Sequence, residues 1–402
     1  MTGRKKIHFA TIAAGAGHVS PALAVQEALE LEFPGKYDIR LLDFMKDLGC
    51  VEEDSLHKEV WRFLLAHPVL TKSVQALDPL TGPLTMEMYR RRGGEFLRRT
   101  EQYLRQERPD LIFSTHYFNS QALARVRPAA GVPATLVNCH TELFSVNSYW
   151  SFGLEPVDFY LVTSEAARRQ LLLRGFPERK LRLFPYPLRA SFLQQRDGRE
   201  DTLRAFGLEP ARKTLLVTLG AEGIGPLEKL LSPLAESGLP LNVPVVCGRN
   251  EGLRERLLGR YAGGRWPRIL PLGYLPELSR LLAAADFYFT KPGPASVWEA
   301  VALRKPLLLA GSAHLLENPN IRFVVDRGLG VYVGWEPKKL LRGVRAMLDD
   351  GALARFQQSY GRLRVENGAV PMARFLDAVL EGGPSGGEPP EEPPRPPTPR
   401  AR

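Results

Sequence analysis

Thr290–Leu309, TKPGPASVWEAVALRKPLLL, is the stretch whose reading decides the fold of this chain. Ala285–Thr290 ahead of it is an apolar run of strand length, Lys291-Pro292-Gly293-Pro294 carries turn chemistry, and a helix is expected from Ala295 with Ser296 in its first turn. Pro294 suits a helix start. Such a start points unpaired backbone N–H groups and the positive end of the helix dipole at whatever precedes it, which favours a phosphate. Glu299, one turn further on, can accept from both hydroxyls of a ribose whose diphosphate rests on that helix end. The plainer reading is a strand, turn and helix of an α/β sheet with a surface glutamate.

Working outward, the strand, turn and helix unit recurs. Lys6–Ala14 reads as a first strand, followed by the turn Gly15-Ala16-Gly17-His18 and a helix over about 21–31. Tyr37–Phe44 gives a second strand with Asp43 near its end, and further strand-like runs lie at 111–114, 134–138 and 159–163. After the proline-bearing stretch 183–189 the pattern restarts at 214–219 and continues at 244–247, 269–271, 285–290 and 306–309. The expectation is α/β, with two doubly wound parallel sheets. The domains are expected over 1–190 and 191–381, the last helix free to pack back on the first domain, with a disordered Pro/Gly-rich tail over 382–402.

The 402 residues, 44% of them hydrophobic, suffice for two cores. No uninterrupted apolar run approaches the ~20 residues needed to cross a bilayer, and the N-terminus leads straight into a strand, so a cytoplasmic protein is expected. Cys50, Cys139 and Cys247 are too scattered for a disulfide framework or a zinc site and read as packing residues. A net charge of +10 favours an anionic partner. There is no RNA-recognition signature, no helix-turn-helix and no basic run interleaved with stacking aromatics, so that partner is not expected to be nucleic acid.

Two glycine loops invite a nucleotide. Gly15-Ala16-Gly17-His18 with Asp43 on the next strand suggests a dinucleotide fold, but the third glycine is missing and His18 and Ser20 stand where small residues are needed. A second loop, Gly220-Ala221-Glu222-Gly223, opens the other half. The better fit is a first loop facing an interdomain cleft with His18 pointing into it, and a second loop that helps to hold a nucleotide sugar's phosphates.

Several further pieces fall in order along residues 6–380. They are Gly17-His18, Thr141-Glu142, Pro187-Leu188-Arg189, Val246-Cys247-Gly248-Arg249-Asn250, Leu272-Gly273-Tyr274, Thr290-Lys291-Pro292-Gly293-Pro294, Trp298-Glu299-Ala300 and Glu317-Asn318. In these the chain resembles the bacterial and plastid diacylglycerol glycosyltransferases, close relatives of the N-acetylglucosaminyltransferase that makes lipid II. The resemblance implies the GT-B architecture, two facing Rossmann-like domains with a lipid acceptor on the first and a UDP-sugar on the second. It implies inverting transfer of a hexose with no metal and no cofactor. His18 and Glu142, which stands where the family has aspartate, are the candidates for the base. On the UDP-sugar side it implies Tyr274 near the uracil, Glu299 on the ribose, and Gly220, Gly223, Lys291, Gly293 and Ser296 around the phosphates. Arg189, Arg249, Glu317 and Asn318 complete that side.

Two departures bear on specificity. Relatives carry a Gly-Gln-Glu-Lys-Glu-Asn run against the donor sugar where this chain has Ala313-His314-Leu315-Leu316-Glu317-Asn318, and the histidine expected shortly after the Thr-Asp pair is absent. Between Ser55 and Arg108, Trp61 and Phe63 with Arg90, Arg91, Arg92, Arg98 and Arg99 suggest a surface for an anionic membrane, the alternative being ordinary core and solvated faces. A protein peripheral to the inner face of the cell membrane is therefore expected. Transfer to a polyprenyl or carotenoid-type lipid, UDP-sugar epimerisation and non-catalytic nucleotide-sugar binding are the competing readings.

Overall fold

The computed structural model describes residues 3–382 apart from 14, 79–81, 83–93, 152, 155, 195–197, 221–224, 262, 264–265 and 313. Gly223, Arg90, Arg91, Arg92, Ala313 and the tail beyond Gly382 lie outside the described residues.

The first sheet takes β1 (Lys5–Thr11), β2 (Tyr37–Asp43), β3 (Leu111–Ser114), β4 (Thr135–Cys139), β5 (Phe159–Val162) and β6 (Leu181–Leu183), in the order β2-β1-β3-β4-β5-β6. The second takes β7 (Lys213–Thr218), β8 (Leu241–Val246), β9 (Arg268–Leu272), β10 (Phe287–Thr290), β11 (Leu307–Leu309) and β12 (Gly330–Tyr332), in the order β12-β11-β10-β7-β8-β9. Neighbouring strands run parallel. The reason is in the residues: Leu215-Leu216-Val217 and Phe287-Tyr288-Phe289 have no exposed surface, as strands covered by helices on both faces require.

The connecting helices are α1 (Ala16–Glu32), α2 (Phe44–Asp47), α3 (Val51–Ala66), α4 (Pro68–Ala76), α5 (Gly94–Glu107), α6 (Tyr117–Ala130) and α7 (Glu165–Leu173) in the first half. Those of the second half are α8 (Arg199–Ala205), α9 (Leu227–Ala235), α10 (Glu251–Tyr261), α11 (Leu278–Ala284), α12 (Pro294–Ala302), α13 (Asn318–Asp326), α14 (Pro337–Met347), α15 (Asp350–Gly361) and α16 (Ala369–Leu380). The last of these returns to the first sheet. Met372, Ala373 and Leu376 are buried with Ile7, Phe9, Val25 and Leu29, and Asp377 accepts from Lys36 and from the Tyr37 hydroxyl, each at 2.5 Å. Asn367 exchanges bonds of 2.8 and 2.9 Å with the backbone of Leu188, so the two crossings between domains are laced together.

Several details differ from the sequence reading. The first helix begins at Ala16, because Gly15 at φ +145° turns the chain immediately after β1. His18 therefore lies in a first helical turn and not at a loop tip. The three-residue strands β6 and β12 were not anticipated, being too short to show a period. Asp43 is not open to a ribose: it accepts from Ala13 N at 3.1 Å and pairs with Lys58 at 2.8 Å, which Asp54 also holds at 2.7 Å. That network ties α3 to the loop before α1. Cys50, Cys139 and Cys247 are buried and free.

Candidate active site

In doubly wound sheets a ligand sits beyond the C-terminal strand ends where the strand order reverses. Here the reversals fall between β1 and β3 in the first sheet and between β7 and β10 in the second. At the first stand His18, Thr115 and His116, and at the second Gly220 and the Lys291–Pro294 turn. The two points meet, since Ser20 on α1 donates to Glu299 Oε1 on α12 at 3.4 Å.

His18 Nδ1 lies 2.8 Å from the Thr115 carbonyl oxygen and 3.1 Å from Thr141 Oγ1. A carbonyl only accepts, so Nδ1 carries the proton and Nε2 keeps its lone pair. Burial pushes the pKa of His18 down to about 4, the Thr115 carbonyl opposing the shift and His57 adding to it. The ring is neutral at pH 7 and equipped to accept a proton. Around it stand His116, at 4.6 Å between ring centroids and edge-on, and Trp150 at 6.0 Å. His116 caps α6 by accepting from Phe118 N at 3.3 Å, and His57 from α3 packs 5.4 Å from it. Sequence reading missed both histidines. The switch-point rule applied to the end of β3 finds His116, but nothing local marks His57.

On the second sheet, Gly220 has φ +84°, and a Cβ there would stand 3.2 Å from Lys291 Nζ. Glycine thus lets the lysine lie across the turn after β7. Gly293 begins α12 with no side-chain cap, and Pro294 holds the first helical position, which leaves the helix N-terminus for an outside acceptor. Ser296 lies in that first turn beside Tyr288, whose hydroxyl bonds Thr218 at 2.6 Å. Glu299 is only 7% exposed, and burial raises its pKa to about 8, with Ser20 and Arg189 pulling the other way. The Arg189 Nε is engaged by Glu27 at 2.8 Å, so this residue pins the linker to α1 while its charge is felt at Glu299. Arg249 lies 5.3 Å over the ring of Tyr274, which is exposed and presents an aromatic face at the strand ends.

Between the sheets lie Glu142 and Glu317. Glu142 Oε2 and Glu317 Oε2 are buried and have no hydrogen-bond partner, as is His314 Nδ1. Burial and the Glu317 charge raise Glu142 to about 8. Glu317 sits in the 3₁₀ turn Leu315–Glu317 with His314 Nε2 3.5 Å away, and its Oε1 lies 3.7 Å from where a Cβ on Gly293 would stand. Asn318 is half-buried at the start of α13, and Asn320 donates to the Pro292 carbonyl at 2.8 Å, holding the turn before α12. A carboxyl whose folded pKa is raised costs stability as pH climbs from its unfolded pKa, near 4.5, to about 8. Glu142→Gln should therefore gain melting temperature relative to the parent across that window and match its trend below it, measured by parallel thermal scans.

Of the residues expected to face a membrane, Phe63 is 52% exposed, whereas Trp61 turns inward, its ring 5.7 Å from His314. Arg98 and Arg99 on α5 both pair with Glu95, Arg99 at 2.7 Å.

A family model described as Glycosyl transferase 4-like domain matches residues 71–187. The probable monogalactosyldiacylglycerol synthase 2 of Oryza sativa subsp. indica is 26% identical over 350 residues, 82% of this chain and 71% of that protein. The processive diacylglycerol beta-glucosyltransferase of Bacillus licheniformis is 25% identical over 370 residues, 91% of this chain and 93% of its own. Among solved structures, a putative UDP-N-acetylglucosamine 2-epimerase from Listeria monocytogenes superposes with TM-score 0.62 at 15% identity, covering 95% of this chain and 96% of its own. A glycotransferase of kitacinnamycin superposes with TM-score 0.60 at 14% identity, covering 94% and 100%. These two likenesses concern the fold. Topology and these likenesses give the chain the two-domain GT-B architecture, and over most of its length it is similar in sequence to the monogalactosyldiacylglycerol synthases and processive diacylglycerol glucosyltransferases.

Proposed function

We propose that the protein moves a hexose from a UDP-sugar to diacylglycerol or a glycosyl-diacylglycerol at a membrane surface, with inversion and without a metal. The observation that carries this reading is the contact of α1 with α12 through Ser20 and Glu299, which sets a neutral His18 opposite a phosphate-ready helix end.

His18 Nε2 takes the proton of the acceptor hydroxyl as that oxygen attacks the anomeric carbon. The bond to the diphosphate breaks on the opposite face, which inverts the centre. The electron pair leaves with UDP, whose charge is met by Lys291 and the first N–H groups of α12. Glu299 accepts from the ribose hydroxyls in place of Ser20, whose 3.4 Å bond is weak. Glu142, Glu317 and Asn318 face the transferred sugar. The relatives named for diacylglycerol support the acceptor class. No helix among the described residues is long and apolar enough to cross a membrane.

The test supplies UDP-glucose, UDP-galactose and UDP-N-acetylglucosamine separately, with vesicles containing diacylglycerol and with EDTA present, and follows UDP release and sugar-labelled lipid. UDP release matched by labelled lipid and insensitive to EDTA is expected. Isomerised sugar nucleotide with no labelled lipid would overturn the reading in favour of epimerisation, and nucleotide binding without turnover would reduce the protein to a binder.

A further inference from the structure

The helices α3 and α4 form a hairpin with two unlike faces. Outward, Leu56, Val60 and Phe63 stand at i, i+4 and i+7 on α3, and Leu70 and Val74 on α4 with Leu77 at its C-cap repeat that spacing, all at least 43% exposed. Inward, the same helices reach the active site on both domains. His57 packs on His116, Trp61 on His314, and Gln75 Oε1 accepts from Leu315 N at 2.6 Å. Lys58 fastens α3 to Asp43, and Asp78 just beyond α4 accepts from Ser148 N at 2.9 Å. The 314–317 turn carries the unpartnered polar atoms of His314 and Glu317 that face the site, and Ser145 holds it at one further point by donating to the Leu316 carbonyl at 3.1 Å.

We propose that this hairpin is a lipid-actuated strap: its outer stripe seats in the bilayer surface, and Gln75 and Trp61 on its inner face then hold the 314–317 turn in the form that grips the donor sugar. The inference rests on the reading of the acceptor as a membrane lipid. The occupant of the outer face is a bilayer because the inner face of the same two helices lines the acceptor side, and acyl chains do not leave the bilayer to reach it. Charge does not drive the seating. Lys58, Arg62 and Lys72 are balanced by Glu52, Glu53, Asp54 and Glu59, so the contact is apolar and needs no anionic leaflet. Gln75 and Trp61 are positioning residues, since they touch the turn and not the reacting atoms.

The experiment measures affinity for UDP and for whichever UDP-sugar proves to be the donor, with and without phosphatidylcholine vesicles that lack any acceptor. For the parent, vesicles should tighten the UDP-sugar several-fold and leave UDP unchanged, because the turn meets the sugar and not the uridine. Gln75→Leu and Trp61→Ala should sediment with vesicles like the parent yet lose the tightening, and Gln75→Glu, which keeps an accepting oxygen, should restore it. Leu56→Ser, Val60→Ser and Phe63→Ser combined should lose both sedimentation and tightening. If the parent binds its UDP-sugar equally with and without vesicles, or Gln75→Leu still responds, the coupling is wrong while the proposed reaction stands. If no UDP-sugar binds in either state, the proposed function falls and the coupling with it.

Discussion

His18→Ala should lower turnover by ~10²–10⁴-fold, the usual contribution of a placed proton acceptor, while affinity for UDP changes little. The tautomer fixed by Thr115 leaves Nε2 as the accepting atom, and burial keeps the ring neutral throughout the physiological range. In the proposed reaction the nucleotide is held by the other sheet, so removing the imidazole should leave its affinity unchanged. Three readouts on one variant separate the roles: single-turnover rate, UDP affinity and melting temperature. A base gives a large rate loss alone. A ring that only holds Thr115 and Thr141 in place gives a lower melting temperature along with the rate loss. Full activity in a folded His18→Ala protein would transfer the base role to Glu142, whose raised pKa already gives it a near-neutral titration.

Glu299→Ala should weaken UDP by about 1.5–3 kcal/mol, the range for hydrogen bonds to a charged group. That corresponds to roughly 10–150-fold in dissociation constant. In the free protein this carboxyl is buried against Ser20 with its pKa raised to about 8, so it is largely protonated at neutral pH. Accepting from two ribose hydroxyls favours the carboxylate, and binding then releases a proton. Parent affinity should accordingly rise with pH up to about 8, and the difference between parent and Glu299→Ala should widen over the same interval. Calorimetric titration of UDP at several pH values, in buffers of different ionisation enthalpy, checks both statements. A Glu299→Ala protein that stays folded and binds UDP as the parent does would remove the ribose assignment.

The part of this protein that can be read from its residues alone is local. Apolar strand runs, glycine and proline punctuation and the Gly293-Pro294 helix start are set by backbone sterics within a few residues, so both sheets and the start of α12 were legible. His18 and Lys291 were legible as candidates beside glycine turns and Glu299 one turn into the helix that follows, whereas Glu142 was singled out only by the family resemblance. Partners, by contrast, are a matter of packing. Asp43 pairs with Lys58 and accepts from Ala13, and Arg189 pairs with Glu27, because each ion pair joins elements whose approach no local period encodes. In sequence Trp61 was expected beside Phe63 on a membrane-facing surface, and nothing local marked His57 or Gln75. Only the packing of α3 and α4 across both domains brings them to His116, His314 and the Leu315 backbone, in one case over 240 residues of chain. Phe63 keeps the outward place expected of it while Trp61 turns inward, because its face of the helix packs on the turn that carries His314, an approach no local period encodes.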